Sequence, residues 1–517
     1  MDVLVSLTDR LWNPLVVLAL GLGLVLTVLT RGVQVRRIPD MVRLIVSNER
    51  SAAGVSSFQA LTLTLSSRIG VGNIAGVATA IAAGGPGSLF WMAVMALLGG
   101  ATAFVESTLA QIYKSTSQGR FCGGIPYYIE KGLGRKWLAT AAAAVALVLY
   151  TLLAPGVQAN SIAVSVGQAT GLSPWVTGAL VTAGLGFIVF GGRRRVVAVA
   201  DTLVPFMAGG YIAVALAVLV VNIAEVPAVV ALVLRSAVGA DAVFGGIVGL
   251  AVAWGVRRAL FSNVAGVGEG TFGSAAAEVS HPAKQGLVQA FSIYIDTLFL
   301  CMATGFMILV TGNYNVHAAG GGHIVAHVPG VEAGPAYTQA AVDAVLPGVG
   351  TYFVALAITL FAFTTLVAFA YIADTNLAYL TRGVSRPACR HGMRAALLTM
   401  VFHGSVESAD VVWAIGDLGY ATLAWINMAC IILLARPALV ALRDYEAQRR
   451  RGLDPTFDPL ALGIRNADHW TGAAAAGPAR PPAVRPVPEQ VPEDGGRGRL
   501  RAAVTRARRG RSGGAGR

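Results

Sequence analysis

The chain has 517 residues, 55% hydrophobic and only 13% charged, roughly half the charge of an ordinary soluble domain. This excludes a water-soluble globular protein and leaves an all-α polytopic membrane protein. The net charge of +13 sits largely in loops and in an arginine-rich C-terminal stretch, so it reads as membrane topology, and no nucleic-acid partner is expected.

No basic start with a small-residue cleavage site opens the chain, and its first apolar run begins near Pro14. Apolar runs of about 20 residues predict spans near 14–31, 58–84, 88–112, 138–160, 174–192, 199–223, 243–277, 286–311, 351–380, 394–414 and 417–440, eleven in all. Arginines 31, 36, 37, 43 and 50 follow the first span, and Lys114, Arg120, Lys131, Arg135 and Lys136 follow the third. Arg193, Arg194 and Arg195 follow the fifth, Lys284 the seventh, and Arg382, Arg386, Arg390 and Arg394 the ninth. Loops 161–173 and 312–349 carry no Lys or Arg. This alternation predicts an outside N-terminus and a cytoplasmic C-terminus. The Ala/Gly/Arg-rich composition suggests a GC-rich bacterium, and the plasma (inner) membrane is the expected location.

Four divisions are expected. Residues 1–57 hold the first span and a cytoplasmic amphipathic helix at 32–50, where Ile38, Met41, Leu44 and Ile45 oppose arginines. Residues 58–440 form the membrane core, 441–471 a cytoplasmic segment, and 472–517 a disordered basic tail rich in Ala, Pro, Arg and Gly.

Two spans are anomalous. Ser67 to Ile81 places Gly70, Gly72, Asn73 and Gly76 inside an apolar segment. Phe261 to Gly273 places Asn263, Glu269 and the glycines 266, 268, 270 and 273 inside another. Unwound backbone at bilayer depth is tolerated only where it lines a cavity or binds something. The two anomalies are five spans apart, an odd number, so they enter the membrane in opposite senses. That predicts a 5+5 inverted repeat, 58–223 and 243–440, with a midplane site between two discontinuous helices.

The run Gly72-Asn-Ile-Ala-Gly-Val-Ala-Thr-Ala-Ile-Ala-Ala-Gly-Gly-Pro-Gly-Ser-Leu-Phe-Trp-Met92 resembles the signature of the alanine/glycine:cation symporter family, the sodium:alanine symporters. The likeness continues through Gln158 to Ser161, Phe261 to Asn263, His281 to Gln289, Asp296-Thr297, Phe363 to Thr365, Thr375 to Tyr379, Phe457 to Pro459 and Leu462 to Ile464. The resemblance implies a LeuT-type fold, sodium as coupling ion, no organic cofactor, and alanine, glycine or D-alanine as substrate.

An amino acid brings a carboxylate and an ammonium, both costly to desolvate. The N–H groups at Val71, Gly72 and Asn73 suit the carboxylate. Carbonyls between Phe261 and Gly266, with Asn263, suit the ammonium, while Gln158 and Asn160 are further polar candidates. Phe261 and Phe369 would cap a methyl-sized side chain. The resemblance also implies a sodium site from the carbonyls of Ser66, Ile69 and Phe361 and the hydroxyls of Thr364 and Thr365. Arg68, Glu269 and Asp374 are candidate gate or coupling residues, with Arg68 expected to pair with an acid of the ninth span.

One departure stands out. The family commonly reads Phe-Ser-Asn-Glu-Ala-Gly at the second break, and here Val264 replaces that glutamate. Glu269 is the nearest acid to take over. Coupling to protons through Glu269, or a channel or sensor derived from a carrier, are the alternatives. His317, His323 and His327 share the loop 312–349, where solvent exposure is the ordinary outcome. The chain shows no Walker loop, nucleophile elbow or His/Glu metal motif, so no enzyme is expected.

Overall fold

The computed structural model of the chain describes residues 2–46, 55–117, 120–318, 321–382, 384 and 386–471. Seven of its helices are long and apolar enough to cross a membrane by length and composition. The sparse charge requires this architecture, because backbone in hydrocarbon must satisfy its own hydrogen bonds.

A helix lies at every predicted span. Helix α1 (Asp2–Leu29) covers the first. Helices α2 (Val33–Arg36) and α3 (Ile38–Val46) form the amphipathic segment, with Met41 buried and Arg43 exposed; residues 47–50 of that expectation lie outside the described residues. The second span is built in two pieces, α4 (Ser57–Arg68) and α5 (Ala75–Gly84), around a single turn at Val71–Asn73. Helix α6 (Ser88–Ile112) is the third. A hairpin of β1 (Ser115–Ser117) and β2 (Arg120–Cys122) and the short α7 (Ile125–Tyr128) follow. Helices α8 (Lys136–Val148) and α9 (Ala154–Thr170) continue one another through a π-helical turn at Leu149–Leu153. Helices α10 (Pro174–Phe190) and α11 (Arg193–Val221) complete the first half.

In the second half, α12 (Val226–Ala237) precedes the other interrupted span, α13 (Val248–Asn263) and α14 (Gly270–Ala276). Helix α15 (Pro282–Ile293) passes through a π-helical stretch at Tyr294–Cys301 into α16 (Met302–Val310). The basic-free loop then folds a hairpin, β3 (Asn315–His317) against β4 (His323–Ala326), and α17 (Pro335–Asp343). Helices α18 (Gly350–Leu380), α19 (Pro387–Val406), α20 (Ala409–Arg450) and α21 (Asp468–Thr471) end the described chain. The expected tail at 472–517 lies outside the described residues.

Local chemistry fixes the helix starts. Ser56 Oγ accepts the Gln59 N–H at 3.1 Å while Gln59 Oε1 accepts the Ser56 N–H at 3.2 Å, a reciprocal cap at the head of α4. His281 Nδ1 accepts the Ala283 N–H at 3.1 Å, and Pro282, which has no N–H to lose, begins α15. Helix α20 is latched at both ends. Near its start Asp417 binds Arg257 and Arg258; near its finish Glu446 binds Arg36 at 2.6 Å and Asp444 faces His281 at 3.2 Å. Helix α6 packs against α15, α13, α14 and α20, and α18 packs against α4, α8, α9 and α11. Both interrupted spans therefore end up enclosed.

Candidate substrate and ion site

Helix α4 ends at Arg68, capped by Ile69, and the freed groups beyond it find partners at once. The Gly70 N–H donates to Asn73 Oδ1 at 2.9 Å, and the Val71 N–H donates to Gln158 Oε1 on α9 at 3.2 Å. Asn73 Nδ2 donates to Asp296 Oδ1 at 2.7 Å and to the Asp296 carbonyl at 3.1 Å. Asn73 thus staples the first break to the π-helical stretch between α15 and α16. Asp296 also accepts from Ser262 Oγ at 3.0 Å and Thr297 Oγ1 at 2.7 Å. A Cβ on Gly72 would stand 3.0 Å from Ser262 Cα and 3.4 Å from Phe261, so the two breaks come close there, and a larger residue would have to push the Ser262 backbone aside.

The second break is held differently. Asn263 Oδ1 accepts the Ala265 N–H at 3.0 Å, and its Nδ2 donates to Thr297 Oγ1 at 3.2 Å. Val264 is left-handed, φ 48°, which costs a β-branched residue roughly 1–2 kcal/mol. Gly266 and Gly268 are also left-handed, at φ 83° and 94°. The Gly266 N–H donates to Glu106 Oε2 at 3.2 Å, and the Gly266 carbonyl accepts from Asn427 Nδ2 at 2.9 Å. The carboxylate that supports this break comes from α6, not from position 264. Gly266 itself, grouped with the substrate residues by sequence, is turned toward Glu106 and Met428.

The expected ion residues divide. Thr365 Oγ1 donates to the Ile69 carbonyl at 3.3 Å and to the Phe361 carbonyl at 3.0 Å, bringing three of them to one point. Thr364 bonds back to Phe361 O at 2.9 Å and reaches Met207 Sδ on α11 at 3.6 Å. Ser66 Oγ bonds back to Leu63 O at 2.7 Å.

Aromatic rings close the space beside the breaks. Phe261 lies 4.9 Å from both Trp413 and Tyr420, and Phe369 lies 5.2 Å from Tyr150, which meets Tyr420 at 6.4 Å. Above Phe261, Arg257 pairs with Asp417 at 2.7 Å and Asp9 at 2.9 Å, and Arg258 pairs with Asp417 at 3.3 Å while its guanidinium sits 4.4 Å from the Trp413 ring. Residues 413, 420 and 427 fall seven apart, one stripe of α20, and that spacing was the available sequence signal for three contributors left unnamed. Tyr150 carried a weaker one: π-helical turns concentrate at functional sites, but their position is not readable from hydropathy.

The expected gate pair does not form. Arg68 Nη1 donates to the Gln289 carbonyl at 3.2 Å and to Ser292 Oγ, and its charged neighbours are Glu106, Asp296 and Glu269. Asp374 pairs with Arg390 at 2.9 Å instead. Nine residues beyond Thr365 on one helix, it stands about 14 Å further along the axis. Asn160 is a helix-to-helix link, donating to the Glu407 carbonyl at 2.7 Å. His317 and His323 pack ring to ring at 5.0 Å, His327 packs on Tyr314, and no group of three metal-ligating side chains forms among the described residues.

The profile of the sodium:alanine symporter family matches residues 1–459. The chain is similar to the putative sodium/proton-dependent alanine carrier protein YrbD of Bacillus subtilis, 54% identical over 470 residues, 91% of this chain and 97% of that protein. It is 50% identical to the sodium/proton-dependent alanine carrier protein of Bacillus sp. PS3, over 83% of this chain and 97% of that one. It is 33% identical to the sodium/alanine symporter AgcS of Methanococcus maripaludis, over 83% of this chain and 94% of that one.

Proposed function

The chain belongs to the sodium:alanine symporter family, and from that premise we propose that it imports alanine, or a similarly small neutral amino acid, together with sodium by alternating access. The observation that carries this reading is the meeting of two interrupted helices at Gly72 and Ser262, with Thr365 reaching the Ile69 carbonyl across the first break. In this reading the substrate carboxylate takes the N–H groups of Val71 and Gly72, displacing the Gln158 side chain. The ammonium takes carbonyls at the end of α13. Phe261 and Phe369, bridged by Tyr420 and Tyr150, limit the side chain to about the size of a methyl.

Sodium takes oxygens, as hard cations do. The carbonyls of Ile69 and Phe361 and the Thr365 hydroxyl offer three, with Ser66 and Thr364 supplying others after modest rotation. An ion there ties α4 to α18, so sodium binding organises the break that holds the carboxylate. At 100 mV each inward sodium supplies about 2.3 kcal/mol from the field alone, roughly fifty-fold accumulation. Arg257, Arg258 and Asp417 form the outer closure. The LeuT-type arrangement of two inverted repeats, 58–223 and 243–440, the outside N-terminus and a bacterial plasma-membrane location complete the reading.

Uptake of labelled alanine into proteoliposomes, with and without an inward sodium gradient, is the test. Accumulation above equilibrium only with sodium is expected; equilibration without accumulation would mean a channel, and binding without flux a sensor.

A further inference from the structure

Helices α1 and α20 lie side by side. Trp12 Nε1 donates to the Asp417 carbonyl at 3.0 Å and Trp425 Nε1 to the Leu11 carbonyl at 3.2 Å, and Arg36, just beyond α1, reaches Glu446 at 2.6 Å. Helix α1 stops at Leu29, whereas α20 runs on to Arg450. The step between them is a cavity of about 230 Å³, with Leu29, Leu439 and Leu442 on its walls. Arg31, Arg36, Arg443 and Arg450 line it too, against one carboxylate, that of Glu446.

That carboxylate is already taken. Glu446 Oε1 binds Arg36 and, at 3.4 Å, Arg37. Arg36 also donates to the carbonyls of Thr30 and Arg31, at 3.3 and 3.2 Å, so it covers the negative end of α1. Arg31, Arg443 and Arg450 are exposed, and among the described residues none of the three side chains has an ion pair or a hydrogen bond. The cavity therefore carries an excess of positive charge. It also lies at a definite depth: the apolar run of α1 ends at Leu29, where hydrocarbon gives way to lipid phosphate. Exposed Val25 and Leu29 are four apart on α1, and exposed Ile432 stands seven before Leu439 on α20. Each helix thus carries an apolar face that runs from the cavity into the hydrocarbon.

We propose that this cleft binds one anionic phospholipid by its phosphate. The phosphate accepts from Arg31, Arg443 and Arg450, whose planar forks match it and which give up no partner to do so. The acyl chains follow the faces of Val25 and Ile432. A soluble phosphate would meet the same arginines but leave those apolar faces unused. A choline headgroup would bring its own cation against the arginines, so a lipid of net negative charge is preferred to a zwitterionic one. Bound there, the phosphate joins the chain just beyond α1 to α20, in parallel with the Arg36–Glu446 pair, and so tightens this end of α20.

Native mass spectrometry of the full-length protein, stripped of lipid in detergent and titrated with dioleoyl phosphatidylglycerol or dioleoyl phosphatidylcholine, tests this. One phosphatidylglycerol is expected to bind ahead of any phosphatidylcholine. R443Q and R450Q are each expected to weaken that first adduct about fivefold, and the double variant about twenty-five-fold, from the usual worth of a basic side chain at an anionic lipid. R235Q removes the same charge from an exposed position on α12 and is expected to leave the adduct unchanged. The thermal midpoint in lipid-free detergent should be the same in all of them, because these arginines hold nothing else in the protein. Equal uptake of the two lipids, an unaltered adduct in the double variant, or an equal loss in R235Q would each overturn the site. So would a lower lipid-free midpoint in R443Q or R450Q, which would make the arginines structural. Displacement of the lipid by millimolar glycerol 3-phosphate would overturn it in favour of a soluble phosphate.

Discussion

Thr365 donates its hydroxyl to the carbonyl of Ile69, 3.3 Å away across the first break, although the two residues are 296 positions apart. The bond joins α18 to the open end of α4, and in the proposed reading it is where sodium would draw oxygens from both helices.

Removing that hydroxyl separates the ion role from packing. Thr365→Val is nearly isosteric and is expected to raise the sodium half-saturation for alanine uptake by about tenfold, about 1.4 kcal/mol, while Thr365→Ser stays near the original value. An unaltered half-saturation in the valine variant rejects this ion site.

Gly72→Ala places a methyl 3.0 Å from the backbone of Ser262, where no rotamer change relieves it. Loss of alanine binding by about tenfold or more is expected in a calorimetric titration. Gly76→Ala is the control, because its nearest neighbour would be 3.9 Å away; equal damage by both changes refutes the close approach of the two breaks.

Val264 holds a left-handed conformation with a branched side chain. Val264→Gly relieves roughly 1–2 kcal/mol of strain, less about 0.5–1 kcal/mol for the freer unfolded chain. A small rise in thermal midpoint is therefore expected, and Val264→Ala, still left-handed, should give none. A fall with glycine as large as that of an ordinary cavity mutant means the isopropyl group's packing outweighs the strain.

His469 follows α20, against Phe121 and Thr116. Burial, with Lys114 and Lys131 nearby, lowers its pKa from 6.5 to about 4. The unfolded segment therefore binds more protons between those values, so the docking of residues 467–471 is fully present above pH 6.5 and is lost as pH falls toward 4. Amide exchange there should speed up across that window; a flat profile contradicts it.

Much of the architecture was legible in the sequence because hydrophobic length and glycine placement are local quantities. The span expected at 88–112 is α6 to the residue, and both glycine-rich stretches are interrupted. The polar network was not legible, since its bonds cross long stretches of chain: Glu106 meets Gly266 160 residues on. Arg68 was assigned to Asp374 because both were charges in need of partners, but hydropathy gives no lateral position, and Arg390 lies closer to Asp374. Backbone handedness at Val264 was hidden too, since nothing in a valine announces it.

Helix α20 runs unbroken for 42 residues, about 63 Å, with Asp417 locked to arginines near one extremity and Asp444 and Glu446 locked near the other. A rod fastened at both tips acts as a see-saw: unfastening one tip redistributes load onto its opposite. Mutations at Arg36 or His281, at the opposite end of the helix from Asp417, should accordingly alter how firmly Asp417 holds Arg257 and Arg258.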